Sequence, residues 1–303
     1  MNRASQNRIA ASLVVVLIAV LWVRCDSKHA ESAPSPATLP KRIVTIAPNA
    51  AEIIAALGEA DRLVGVSRYC KYPPELSLKE RVGGLIDPDL EKILRLKPDL
   101  VVIRGRIPEV ERLCEANQIR LYRDPTQAFD DIFIAISQLG AILEKKTSAK
   151  KLIRDMRTQI DKIADAVSER PRPRVLFTTE RNPDSLSRVI TMGKNTFVDV
   201  IISRAGGENI FGDRKVLYPE VSLESILAAQ PDVIIEVLPE IKDITETRRG
   251  KIIEQWRNLG NMPAAKNNRI HIITDNDLII PSPRIVESIA RMARLLHPEV
   301  QID

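Results

Sequence analysis

From residue 42 onward, short β-branched runs alternate with stretches whose apolar residues recur every three or four positions. Ile43-Val44-Thr45-Ile46 predicts a strand. Ala47-Pro48-Asn49 leads from it into a helical pattern through Glu52-Ile53-Ile54, stopped near Leu57-Gly58. Leu63–Val66, Leu100–Ile103 and Ile119–Tyr122 predict further strands, with helices over Leu90–Leu94 and Glu109–Asn117 between them. Such alternation implies a mostly parallel sheet with helices on both faces. At Ala128 the period changes. Phe129, Ile132, Phe133, Ile136 and Leu139, then Leu152, Met156, Ile160, Ile163 and Val167, mark amphipathic helix in two pieces around Lys145–Ser148. The second piece would run roughly 30 Å at 1.5 Å per residue, enough to cross between two lobes. Pro171 and Pro173 end it. The second half then repeats the theme. Val175–Phe177 and Ile270–Ile273 read as strands, and Thr196–Ala205 (closed by Gly206-Gly207), Lys251–Leu259 and Pro283–Leu296 as helices.

One unit occurs twice. Leu90-Glu91-Lys92-Ile93-Leu94 leads to Lys97-Pro98-Asp99-Leu100-Val101-Val102, and Leu223-Glu224-Ser225-Ile226-Leu227 leads with the same spacing to Gln230-Pro231-Asp232-Val233-Ile234-Ile235. Each copy reads as a short helix, a Pro-Asp turn and a buried strand. A duplicated αβ unit predicts an α/β fold of two Rossmann-like lobes with mostly parallel sheets, joined by one long α-helix, with a ligand cleft between them. The expected domains are an N-terminal α/β lobe over 41–125, a helical region over 126–170 that contains the bridging helix, and a C-terminal α/β lobe over 171–303.

Residues 1–25 add a destination. Arg3 and Arg8 precede an apolar run from Ile9 to Val23, broken by Ser12, and Cys25 follows Arg24. This is a signal peptide, or a lipoprotein signal with Cys25 as the acylated residue; an uncleaved anchor is the third option. Each places the remainder outside the cytoplasmic membrane, in the periplasm or on the membrane's outer face. Residues 26–40, rich in Ser, Ala and Pro, read as a flexible tether. With Cys25 removed or acylated, Cys70 and Cys114 remain, and spacing alone does not decide whether they pair.

Charge narrows the function. Of 45 basic residues three (Arg3, Arg8 and Arg24) precede Cys25, which leaves 42 against 40 acidic and no footprint for nucleic acid. The three histidines, His29, His271 and His297, have no metal-ligand spacing. A Gly-x-Ser-x-Gly elbow and a Gly-rich phosphate cradle are both absent from the sequence. No catalytic residue, cofactor or metal site is assigned. The aromatic share, 4%, gives weight to any tyrosine near the cleft.

An ordered set of segments carries a resemblance: Arg42-Ile43-Val44, Leu63–Ser67, Tyr69-Cys70-Lys71-Tyr72-Pro73-Pro74, Leu90–Ile93, Lys97–Val101, Gly206–Phe211 and Ser282-Pro283-Arg284. From Arg42 to the C-terminus the chain resembles the substrate-binding proteins of ABC importers for vitamin B12, ferric siderophores and haem, above all those for vitamin B12. The resemblance implies a monomeric, non-enzymatic carrier with a helical hinge. Its partners would be a membrane permease with its ATPase and a small-molecule metal chelate, either a corrinoid or a ferric siderophore or haem. A chelatase-like enzyme and a tethered sensor are further readings of the same fold. The resemblance also implies that Glu91 and Glu224 dock on permease arginines; taken alone, each acid equally complements a helix N-terminus. Tyr69 and Tyr218 match aromatic ligand positions, and Tyr72 is a further candidate for ligand contact. Leu85 and Arg104 stand where the vitamin B12-binding members carry tryptophans. Arg104, with Arg68, Arg106 and Arg181, would instead suit an anionic guest. Arg284 is a candidate for the cleft base or for holding the structure together.

Overall fold

The computed structural model describes residues 38–182, 185–239, 241 and 244–302. Residues 1–25, Cys25 among them, and residues 26–37 of the expected tether lie outside the described residues.

Two sheets form among the described residues. The first comprises β1 (Ile43–Thr45), β2 (Leu63–Val66), β3 (Glu80–Arg81), β4 (Leu100–Arg104) and β5 (Arg120–Asp124), in the order β3-β2-β1-β4-β5 with every pair parallel. The second comprises β6 (Arg174–Glu180), β7 (Val189–Thr191), β8 (Glu208–Asn209), β9 (Glu220–Val221), β10 (Val233–Val237) and β11 (Ile270–Ile273), in the order β11-β10-β6-β7-β9. β6, β10 and β11 run parallel, and β8 also pairs parallel with β6. β7 is antiparallel to β6 and to β9. The β6–β7 link is too short for a parallel crossover, which needs a dozen or more residues, so the chain turns back at that edge.

Side chains alternate across these strands into separate cores. Ile43, Leu100 and Val102 face one side of the first sheet, and Val44, Val101 and Ile103 the other. Both faces are buried, which is why the strands read as unbroken apolar runs. Val175, Phe177, Val233 and Ile235 of the second sheet belong to the same core as Ile43 and Leu100, so one apolar interior spans both lobes. The helices Asp131–Ile142 and Lys146–Ala166 join it. The latter has 21 residues and is about 32 Å long. It buries Ala149, Met156, Ile160 and Ile163 against Asp131–Ile142 on one side and against Phe197–Arg204 and Ile285–Leu296 on the other. Among the described residues it is the single passage between the sheets. The break before it is tight. Glu144 sits at φ 57°, and a Cβ on Gly140 would collide with the Ala149 Cβ.

The duplicated unit is real in three dimensions. In the first lobe Asp99 accepts from the backbone N–H groups of Lys41 and Arg42, and the Arg42 side chain donates to the Leu96 carbonyl. In the second, Asp232 accepts from the N–H of Arg174, whose side chain donates to the Ala229 carbonyl. Lys97 and Gln230, two residues before these aspartates, take matching left-handed conformations at φ 45° and 46°. Each pair clips the helix C-terminus to the start of the neighbouring strand, satisfying carbonyls that a helix end leaves open.

Cys70 and Cys114 are free thiols in different cores. Burial pushes them up to about 12 and about 11, so neither is a reactive thiolate.

Gly206 ends its helix at φ +77°, where a Cβ would lie 2.8 Å from His297 Nε2 and 2.9 Å from Val167 Cγ2. Gly206→Ala is therefore expected to cost about 1–3 kcal/mol, read from urea unfolding. Burial holds His297 below its ordinary value of 6.5 despite Glu299 4.0 Å away, and burial with the Arg269 charge does the same to His271. Both imidazoles take up protons more readily in the unfolded chain than in the fold. Their contribution is full above 6.5 and is lost as pH falls through that value toward the lower folded ones. The melting temperature should drop between pH 7.5 and pH 5, and less so in a His271→Gln, His297→Gln double variant.

Candidate functional site

The C-terminal ends of the parallel strands in both sheets open onto one interlobe cavity of about 560 Å³. Pro48 and Asn49 follow β1, Arg68, Tyr69 and Lys71 follow β2, Leu85 follows β3, and Arg104 ends β4. From the other lobe come Pro239, after β10, and Asn276 with Ile279-Ile280-Pro281, after β11. Loops at strand C-terminal ends are where open α/β sheets bind ligands, because the chain there is free to vary without disturbing the sheet.

Two weak bridges cross this cavity. Lys71 Nζ donates to the Pro239 carbonyl at 3.2 Å, and Asn276 Nδ2 to the Tyr69 carbonyl at 3.4 Å. A third contact between the lobes is strong. The Glu52 carboxylate accepts from Arg284 Nε at 2.8 Å, Arg284 Nη2 at 2.6 Å and Ser282 Oγ at 2.5 Å. Glu52 belongs to the Pro48–Ala56 helix of the first lobe, and Arg284 caps the Ile285–Leu296 helix of the second. Glu52 is 3% exposed and Ser282 fully buried. Burial alone would lower the Arg284 pKa, but the bonds from Glu52 outweigh it and raise it. Tyr72 lays its ring 4.4 Å from the same guanidinium.

The cavity is apolar with a positive cast. Tyr69 and Leu85 are partly exposed there. Arg68 is paired with Asp87 and lies 6.0 Å from the Tyr69 ring centre. Arg104 Nε donates to the Thr126 carbonyl at 2.9 Å. Among the described residues that line the cavity there is no acid.

The structure thus brings Arg68, Tyr69, Leu85 and Arg104 together and places the other candidates elsewhere. Tyr72 faces a neighbouring groove with Cys70, Arg81 and Arg284. Arg284 belongs to the clamp, the structural side of its expectation. Arg181 is buried beside β10, bonded to Glu236 at 2.7 Å and to Gln255, while Trp256 also donates to Glu236. A charge so enclosed by its own lobe is not offered to the cleft. Tyr218 is exposed on the segment before β9 and is not among the residues that line this cavity. Asn49, Lys71, Asn276 and the 279–281 segment were not singled out by the sequence. The available signal was position: each follows a strand's C-terminal end. Among the described residues no three potential metal ligands cluster, and no helix is long and apolar enough to cross a membrane.

Glu91 and Glu224 occupy equivalent places, the second residue of the helices Leu90–Arg95 and Leu223–Ala229. Both are exposed, and neither forms an ion pair among the described residues. The helix starts are capped by Asp89 and Ser222, which accept from the N–H of Lys92 and Ser225. Asp87, two residues before the Asp89 cap, is engaged by Arg68 instead. The Glu224 carboxyl lies below its ordinary value through its own backbone N–H and Ser222.

Comparison with known proteins supplies context. The model of a periplasmic binding protein family matches residues 43–276. The chain is 29% identical over 265 residues to the vitamin B12-binding protein of Vibrio cholerae, covering 87% of this chain and 90% of that one. The crystal structure of a periplasmic vitamin B12-binding protein from Vibrio cholerae superposes with a TM-score of 0.70 at 27% identity, over 86% of this chain and 98% of that one. The apo periplasmic haem-binding protein from Roseiflexus superposes with a TM-score of 0.72 at 26% identity, over 86% and 99%.

Removing one partner of the Glu52–Arg284 clamp leaves a buried charge uncompensated. Glu52→Ala should cost about 3–5 kcal/mol in urea unfolding and widen the solution scattering profile. An unchanged stability would mean that the clamp is solvated.

Proposed function

The chain belongs to the periplasmic binding protein family, and from that premise we propose that it captures a corrinoid, cobalamin or a close analogue, between its lobes and delivers it to an ABC permease. The observation that carries this reading is the cleft itself: an apolar hollow at the strand ends, with one exposed tyrosine, an isoleucine pair, prolines and a few fixed hydrogen-bond donors. Apolar burial supplies affinity for a broad macrocycle, and the donors fix its orientation. A whole corrinoid exceeds the cavity as it stands. It enters with the lobes parted, at the cost of the weak Lys71–Pro239 and Asn276–Tyr69 bridges, while the clamp at Glu52 and the long helix limit the motion. Glu91 and Glu224, alike in place and exposure, give the permease one carboxylate on each lobe. The carrier makes and breaks no covalent bond. Residues 1–25 direct export, and Cys25 is the site of anchoring.

A second reading is favoured by one observation. Lys71 and Arg104, beside the Asp87-paired Arg68, face the cavity with no acid among its described lining residues, which suits the carboxylates of haem or a ferric siderophore. The Tyr69 phenol would then offer an oxygen ligand to ferric iron.

Calorimetry with cyanocobalamin, cobinamide and haemin separates the two. Sub-micromolar binding of a corrinoid, weakened about 10–100-fold by Tyr69→Ala, supports the first. Heat with haemin and none with either corrinoid replaces it by the second. The double variant Glu91→Lys, Glu224→Lys should abolish cellular uptake while the ligand Kd stays unchanged; surviving uptake removes the docking assignment.

A further inference from the structure

One atom in the cleft wall lacks a partner. Asn49 is the second residue of the Pro48–Ala56 helix, is 1% exposed and lines the cavity. Its Nδ2 donates to Asp124 Oδ2 and, at 3.4 Å, to Thr126 Oγ1. This fixes the amide's orientation, because a flipped amide would press its oxygen against the Asp124 carboxylate. Asp124 is otherwise occupied, since its Oδ1 accepts from the Thr126 N–H at 3.0 Å and from the Thr126 hydroxyl at 2.5 Å. Asn49 Oδ1 is left buried with no hydrogen-bond donor. Such an acceptor is costly in a native fold, and a ligand that supplies a donor recovers that cost.

Arg104 stands beside it. Its Nε is held by the Thr126 carbonyl at 2.9 Å, so Arg104 and Asn49 are anchored on the same residue. Its Nη groups make no hydrogen bond or ion pair among the described residues. Two residues that line the cavity and are tied to Thr126 thus keep unused capacity, donors on Arg104 and a buried acceptor on Asn49.

We propose that Arg104 and Asn49 form a subsite for a neutral primary amide, with the Arg104 Nη groups donating to the amide oxygen and Asn49 Oδ1 accepting an amide N–H. This rests on the corrinoid reading, because a corrin ring carries primary amides around its rim whereas haem carries carboxylates. A carboxylate satisfies Arg104 but has only acceptors, and sets one of them against Asn49 Oδ1. Asn49 therefore selects the amide over the acid at this position of the rim. Oδ1 is shielded from solvent in this structure, so the subsite requires that parting of the lobes uncovers it to the guest.

The test compares dicyanocobinamide with cobyrinic acid, the same ring with carboxylates in place of the rim amides, by absorbance titration of the purified protein at pH 7.5. Asn49→Ala should raise the Kd for cobinamide about fivefold or more, the yield of one ordinary hydrogen bond. It should leave the Kd for cobyrinic acid unchanged or lower it. Arg104→Gln keeps amide pairing and removes the charge, so it should weaken cobyrinic acid more than cobinamide; it carries the test by itself if Asn49→Ala does not fold. Equal weakening of both ligands by either variant, or an unchanged cobinamide Kd in Asn49→Ala, overturns the subsite and leaves corrinoid capture standing. No binding of either corrin to the unmodified protein overturns both.

Discussion

The apolar stripe of the Lys146–Ala166 helix is the constraint on which the molecule turns. Met156, Ile160 and Ile163 are buried only because helices of both lobes close over them. Neither lobe can swing far without exposing that stripe to water, and apolar exposure costs about 25 cal/mol per Å². The interior is therefore shared: residues of both sheets meet in one core through this strut. A hinge made of a packed helix permits small rocking and resists wide opening. The Glu52–Arg284–Ser282 clamp reinforces it with a bond network that is directional and largely dry.

Against that stiffness, the contacts across the cavity are slight. Lys71 and Asn276 each make one bridge at or above 3.2 Å to a backbone carbonyl. A strong contact at the clamp and weak ones across the cavity define a hinge and a gate. The difference lies in solvation: the clamp is buried, while Lys71 and Tyr69 are exposed and exchange their bridges for water at little cost.

The duplicated αβ unit explains why both lobes turn the C-terminal ends of parallel strands toward the cleft. Asp99 with Arg42, and Asp232 with Arg174, each lock a short helix to the edge of a parallel pair. That lock sets the direction of β4 and β10, and so determines which loops converge. The same repeat leaves Glu91 and Glu224 on capped, exposed helix starts, where each carboxylate is also favoured by the helix dipole.

The sequence by itself determined the local and repetitive features. Apolar runs marked β1, β2, β4, β5, β6, β10 and β11 but not the short β3, β7, β8 and β9, and the change of period at Ala128 marked the two amphipathic helices, whose break at Leu143–Lys145 lies within three residues of the expected place. The repeat announced two lobes because covalent neighbours and periodicity carry that information directly. Tertiary structure decided everything that depends on which distant residues meet. The short link after β6 turned that edge antiparallel. Arg181 found Glu236, 55 positions away, and left the cleft, and Arg284 found Glu52, 232 positions away, and became part of the hinge. Asn49 and Lys71 carry no motif, yet stand in the cavity because they follow strands whose ends converge. A side chain's charge is written in the chain; whether it is spent on a partner or offered to a guest depends on the fold, because burial and pairing are properties of position.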